Sequence, residues 1–136
     1  KDTPSEYLPD NQTPRYLMER FGKFMGVEMG PDWTIGRELI RATIAAQPTR
    51  HVLVTHGTDS MVQTGKVLSG IQDKTIVMTG ALSPARFRGS DAEFNIGCAI
   101  GAVQSLPSGV YIAMNGRIFD PQHVRKNVAA NRFESV

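Results

Sequence analysis

The stretch His51-Val52-Leu53-Val54-Thr55-His56-Gly57-Thr58-Asp59-Ser60 decides the fold. A nearly continuous apolar run leads into a glycine, a hydroxyl and a carboxylate. A sheet with one wet face would alternate apolar and polar side chains, and this run does not. It fits a strand buried on both faces of a parallel sheet. Two further runs have the same make-up, Thr75-Ile76-Val77-Met78-Thr79 and Val110-Tyr111-Ile112-Ala113-Met114. Helix candidates lie between them, at about 60–69 and 94–106. The order strand, helix, strand, helix, strand implies an α/β fold with right-handed crossovers and helices on both faces.

Working toward the N-terminus, the spacing of Ile35, Leu39, Ile40 and Ile44 predicts a helix running to about Gln47, with Asp32 as its N-cap. Gly22, Gly26, Gly30 and Pro31 break the pattern before it. Pro14 is placed to open a shorter helix through Phe21, capped by Thr13. Residues 1–13 are polar, carry Pro4 and Pro9, and read as loop.

The bulk numbers narrow the class of function. A chain of 136 residues suits one domain, 1–136, around one core. With 40% hydrophobic and 21% charged residues it is an ordinary globular composition, not a disordered one. A net charge of +2 argues against a nucleic-acid partner. One cysteine, Cys98, excludes an intramolecular disulfide framework and fits a reducing compartment. His51, His56 and His123 lack zinc spacing, so no metal is expected. No dinucleotide or phosphate-loop glycine signature occurs, so no cofactor is expected either. No stretch reaches membrane-spanning length, and residues 1–4 lack the apolar core of a signal peptide. The expectation is a cytoplasmic protein without a membrane partner.

In open parallel sheets, ligands bind beyond the carboxyl ends of the strands. Here those ends are His56-Gly57, Gly80-Ala81 and Asn115-Gly116. Gly57 admits a ligand close to the backbone. Thr58 and Asp59 stand at a helix start, where free amides and the dipole favour an anion. They also suit a plain helix cap, and the segment alone leaves both readings open. After the third strand comes Gly116-Arg117-Ile118-Phe119-Asp120-Pro121-Gln122-His123-Val124-Arg125-Lys126. A lysine held beside a carboxylate is positioned to take a proton from a hydroxyl. Spacing alone favours a solvated Lys126.

Taken together, residues 50–135 resemble the bacterial L-asparaginases, in particular the type I branch. The matching pieces are His56-Gly57-Thr58-Asp59-Ser60-Met61, then Val77-Met78-Thr79-Gly80-Ala81, then Ser90-Asp91-Ala92-Glu93-Phe94-Asn95. Tyr111-Ile112-Ala113-Met114-Asn115 and Asp120-Pro121-Gln122-His123-Val124-Arg125-Lys126-Asn127 follow in the family's order. The resemblance implies a three-layer α/β/α domain of the flavodoxin or Rossmann-like kind. It implies a catalytic set of Thr58, Asp59 and Lys126: a hydroxyl, a carboxylate that orients the amine, and the amine that relays the proton. It implies substrate contacts from Gly57, Thr58, Asp59, the Ala81 backbone and Tyr7, the last as a lid residue. The implied reaction hydrolyses a small primary amide such as L-asparagine to an acid and ammonia, in a homodimer or higher homo-oligomer.

The sequence departs from the family at two places. The first strand with its TGGTI-type turn, which carries the other catalytic threonine, is absent from it, and residues 1–7 resemble the segment just beyond that turn. Val27-Glu28-Met29-Gly30 stands where the family has an Asp-Ser pair for the substrate carboxylate. A short, single-domain branch is the expectation. Two other functions compete: a weak or inactive ligand-binding relative, and an ammonia-releasing subunit of an amidotransferase. Elsewhere, Arg86 and Arg88 flank Phe87 in a loop and read as a solvated basic segment or a carboxylate clamp. Ser90 or Asp91 is expected to cap the next helix. His56 reads as a turn residue, Cys98 as buried and inert, and the Gly97, Gly101 stripe as helix packing.

Overall fold

The computed structural model describes residues 34–83 and 85–136. The chain divides into two compact units, 1–40 and 41–136. In the first, the described residues form the opening turns of helix α1 (Thr34–Ala46). The expected helix over 14–21 and the caps at Thr13 and Asp32 lie outside the described residues. On α1, Leu39 is exposed and Ile44, in the second unit, is buried. The apolar face read from the sequence is therefore only partly covered.

The second unit holds the sheet. Strand β1 is His51–Thr55, helix α2 Met61–Leu68, strand β2 Thr75–Thr79, helix α3 Ala92–Ser105 and strand β3 Gly109–Met114. β1, β2 and β3 pair in parallel, with His51 opposite Thr75, Thr55 opposite Thr79, and Met78 opposite Ile112. The two connections are helical, as parallel neighbours require.

Successive side chains of a strand point to opposite faces, and the two helices take one face each. Val77 and Ala113 form a core with Ala99 and Val103 of α3, with Leu53 and Tyr111 packed beside them. Met78, one residue on, faces α2: a Cβ placed on Gly65 would lie 3.5 Å from the Met78 sulfur. β2 is buried along its whole length. β1 is exposed at both ends and half-buried between, so the expectation of a fully buried first run is corrected. Its place at the edge of the described sheet is the reason, since only β2 pairs with it.

The chain after β3 does not continue the parallel pattern. Asn115 (φ 52°) and Gly116 (φ 74°) both adopt left-handed backbone and turn the chain into β4 (Arg117–Phe119), antiparallel to β3. Two such residues make a two-residue hairpin loop, for which Asn-Gly is the preferred sequence. A 3-10 turn (Pro121–His123) then leads into β5 (Val124–Asn127), which pairs antiparallel with β6 (Arg132–Ser135). The result is a mostly parallel four-stranded sheet between helices, with a separate two-stranded ribbon. No helix among the described residues is long and apolar enough to cross a membrane.

Candidate active site

The turn after β1 begins with a pinned histidine. His56 N–H donates to the Thr79 carbonyl at 2.8 Å, tying the ends of β1 and β2 together. The imidazole Nδ1 is 2.7 Å from the Gly57 carbonyl. A carbonyl only accepts, so Nδ1 carries the proton. Nε2 is then the acceptor for the Thr64 hydroxyl at 3.1 Å. With both ring nitrogens engaged, His56 braces the turn, in keeping with its reading as a turn residue.

Gly57, Thr58, Asp59 and Ser60 follow. A Cβ on Gly57 would meet nothing within 4 Å among the described residues. Ser60, not Thr58 or Asp59, stands at the N-cap of α2, and it makes no side-chain cap bond. The capping alternative for Thr58 and Asp59 is thereby removed. Their side chains are committed elsewhere.

Lys126 is where they are committed. Its Nζ donates to Thr58 Oγ1 at 2.8 Å and to Asp59 Oδ1 at 2.5 Å, across 68 and 67 residues of sequence. β5 supplies the direction. Val124 and Lys126 share one strand face, and Phe133 lies opposite Lys126 on β6. Val124 and Phe133 are buried, so the lysine stem lies on an apolar surface and its charged end reaches the turn. The Lys126 side chain is 13% exposed and that of Asp59 is 92% exposed. An ion pair with so exposed a partner contributes little to stability.

The packing of α2 sets this alignment. A Cβ on Gly65 would lie 2.9 Å from both Cβ and Cγ of Pro121, so α2 sits directly on the 3-10 turn that precedes β5. Asp120 secures that turn by accepting from Gln122 N–H at 2.8 Å and from His123 Nδ1 at 3.0 Å. These bonds, first the Gln122 amide and then the His123 ring, hold the Asp120 carboxyl below its ordinary range. Neither Gly65 nor Pro121 was a candidate from the sequence, although a glycine inside a helical pattern is a signal of close packing.

The turn after β2 lies against the first. A Cβ on Gly80 would run into the His56 carbonyl oxygen, so only a glycine lets the two backbones touch. Ala81 is half-buried beside it, and its N–H and C=O make no hydrogen bond among the described residues. Ser90 Oγ accepts from the Ala92 N–H at 3.1 Å, at the start of α3. Asp91 makes no side-chain cap bond and faces the 82–83 backbone instead. Arg86 stacks on Phe87, 4.9 Å from the ring centroid, in an exposed loop. Tyr7 lies outside the described residues. The structure thus brings Thr58, Asp59 and Lys126 together, with Gly57 on the same turn and Ala81 on the adjoining one.

A hydroxyl, an amine and a carboxylate thus meet beyond the strand ends of a parallel α/β domain, where folds of this class bind their ligands. Residues 12–136 match the family model described as "Asparaginase, N-terminal", and the chain belongs to this family. It is 34% identical over 79 residues to L-asparaginase 2 of Escherichia coli, covering 54% of this chain and 23% of that protein. It is 33% identical over 90 residues to a subunit of the glutamyl-tRNA(Gln) amidotransferase of Methanococcus vannielii, covering 65% of this chain and 21% of that protein. The crystal structure of a probable cytoplasmic L-asparaginase from Campylobacter jejuni superposes with a TM-score of 0.62 at 28% identity, over 76% of this chain and 35% of the other. The chain therefore spans about a quarter of the length of such curated relatives.

Proposed function

We infer that this protein is an amidohydrolase that releases ammonia from a small primary amide such as L-asparagine. The observation that carries the reading is the bridging position of Lys126 Nζ between Thr58 Oγ1 and Asp59 Oδ1. Lys126 relays the Thr58 proton as the hydroxyl oxygen attacks the amide carbon. The proton then passes to the leaving nitrogen, the C–N bond breaks, and ammonia departs. Water hydrolyses the resulting ester and restores the hydroxyl. Asp59 steadies the Lys126 amine during the relay. Backbone groups of the Ala81 turn are placed to receive the amide end, where donors aimed at a developing oxyanion have the largest effect.

The same reading carries a homo-oligomer, supported by Ile96 and Ile100, which lie one turn apart on α3 and are exposed. It also carries a cytoplasmic location, as the name of the Campylobacter relative has it. A second reading rests on the match to the amidotransferase: ammonia made here is passed to a partner.

Ammonia release from L-asparagine, L-glutamine and simpler amides tests both, with Lys126→Ala as the control. Activity in the parent and its loss in the variant are expected. Equal, slow release from both would remove the hydrolytic reading, and release only on adding a partner would favour the second.

A further inference from the structure

The turn after β2 is held by more hydrogen bonds than a surface loop needs, and all of them come from the start of α3. Asp91 Oδ2 accepts the Leu82 N–H at 3.1 Å, and Oδ1 accepts the Ser83 N–H at 3.0 Å. Asn95, one helical turn on, is fully buried. Its Nδ2 donates to the Gly80 carbonyl at 2.9 Å and to Asp91 Oδ2 at 2.8 Å. Its Oδ1 accepts the Asn115 N–H at 2.8 Å, which ties in the turn after β3. Ser90 Oγ donates to the Ser83 carbonyl at 2.7 Å.

Backbone groups on both sides of Ala81 are thus fixed by side chains, while its own N–H and C=O are left without hydrogen-bond partners among the described residues. An N-cap carboxylate ordinarily turns toward its own helix. Asp91 caps no backbone N–H of that helix; both its oxygens accept from the 82–83 backbone, and Oδ2 also receives the Asn95 side chain. The beneficiary of this arrangement is the peptide at Ala81, on the turn that touches the His56 carbonyl at the head of the Thr58 turn.

We propose that Asp91 and Asn95 are positioning residues that orient the Ala81 peptide to receive the amide group of the substrate. The proposal rests on the amidohydrolase reading, and neither side chain touches the reacting atoms. A peptide held on both sides keeps its donor and acceptor aimed without reorganising when the ligand arrives, and an error near 1 Å there costs about 100-fold in rate.

The test uses the full chain, with L-asparagine as the amide probe and L-2-aminobutyrate as the control ligand. The control keeps the amino and carboxylate ends and lacks the amide. In the parent, asparagine should shift the Ala81 amide resonance and aminobutyrate should not. Asp91→Asn presents an NH2 group to at least one N–H, so it should abolish that shift and lower kcat about 100-fold. Its affinity for aminobutyrate should stay at the parent value. A variant that loses both ligands equally would reduce Asp91 to a structural role. A parent whose Ala81 resonance ignores asparagine, or that binds neither ligand, would overturn the proposal. If the parent binds asparagine through Ala81 but releases no ammonia, the amidohydrolase reading fails while the positioning role survives.

Asn95→Asp serves if Asp91→Asn does not fold. Two carboxylates sharing a site raise one pKa, and the protonated Asp regains a donor for the Gly80 carbonyl. Variant activity relative to the parent should then rise between about pH 8 and pH 5. A flat ratio would overturn the proposal.

Discussion

Gly65 and Pro121 meet so closely that a methyl group on the glycine would lie 2.9 Å from two carbons of the proline ring. Carbon atoms pack at about 3.5–4.0 Å, and a ring cannot swing aside as a long side chain can. The glycine therefore lets α2 sit on the turn that delivers Lys126. Gly65→Ala is expected to destabilise the fold by about 1–3 kcal/mol, as overpacking does. Helix propensity alone would act the other way, favouring alanine by about 1 kcal/mol. Urea unfolding reads the sign. Ammonia release should fall further than the folded fraction, because the displaced turn carries Lys126 away from Thr58. Gly70, with nothing among the described residues within 4 Å of its added Cβ, is the control, and Gly70→Ala should stay within about 0.5 kcal/mol.

The hydroxyl of Thr58 can be separated from its shape. Thr58→Val keeps the branched side chain and removes the oxygen that Lys126 approaches to 2.8 Å. Thr58→Ser keeps the oxygen and removes the methyl. If Thr58 is the nucleophile, the valine variant should lose about three orders of magnitude or more in kcat, and the serine variant should retain measurable ammonia release. Both should fold, since the half-buried position sits in a turn and not in the core. Equal activity in the valine variant and the parent would assign the attack to another group.

The parallel core was legible because its strands are short apolar runs. The first two have the bounds read from the sequence, and the third begins one residue earlier, at Gly109. β4 was not read, although Asn115-Gly116 is a strong hairpin signal. At the end of a parallel strand the same pair also suits a ligand-binding turn, and three residues of β4 show no period. The strands of the β5 and β6 ribbon have only four residues each. Lys126 illustrates the limit of local reading. Spacing favours a solvated lysine, and its approach to Thr58 depends on Gly65 against Pro121, a contact remote in sequence, and on the pairing of Lys126 with Phe133 in a ribbon too short to show a period. Only the resemblance to a family pointed there. Ser90 and Asp91 both suit a cap by residue type and position; Ser90 accepts the Ala92 N–H, whereas the direction of the Asp91 carboxylate is set by the 82–83 backbone.

Lys74 offers a prediction about stability alone. It is buried, and its Nζ donates to the carbonyls of Gln47 at 2.5 Å and Thr49 at 2.8 Å. α1 has no basic residue in its last turn, and this lysine supplies a cation to that end from a distant segment. Lys74→Met keeps much of the stem and leaves the carbonyls without their donor. A loss of about 1–3 kcal/mol is expected. Lys74 precedes β2, at the opposite end of the sheet from Thr58, so kcat per folded molecule should not change. A parallel drop in kcat would mean that the two ends of the sheet are coupled.

Acid should unfold the protein partly through Asp91. Burial pushes its carboxyl upward, but the N–H groups of Ser83 and Leu82 and the Asn95 amide outweigh it, leaving the pKa below the ordinary 3.8. The folded state then holds this proton less readily than the unfolded state. Stability from Asp91 is complete above the ordinary carboxylate range and is lost as the pH falls from 3.8 through the depressed value. Within that window the slope reaches at most about 1.4 kcal/mol per pH unit for one group. Asp120 acts in the same direction, more weakly because it is largely exposed. Unfolding free energies measured across the acid range should rise with pH there, and Asp91→Asn should flatten the limb. Because the bonds of Asp91 run to the Ala81 turn, the resonances of Leu82 and Ser83 should titrate with the same midpoint before global unfolding begins. If those two amides do not respond to acid while the limb persists, the acid sensitivity resides in other carboxylates.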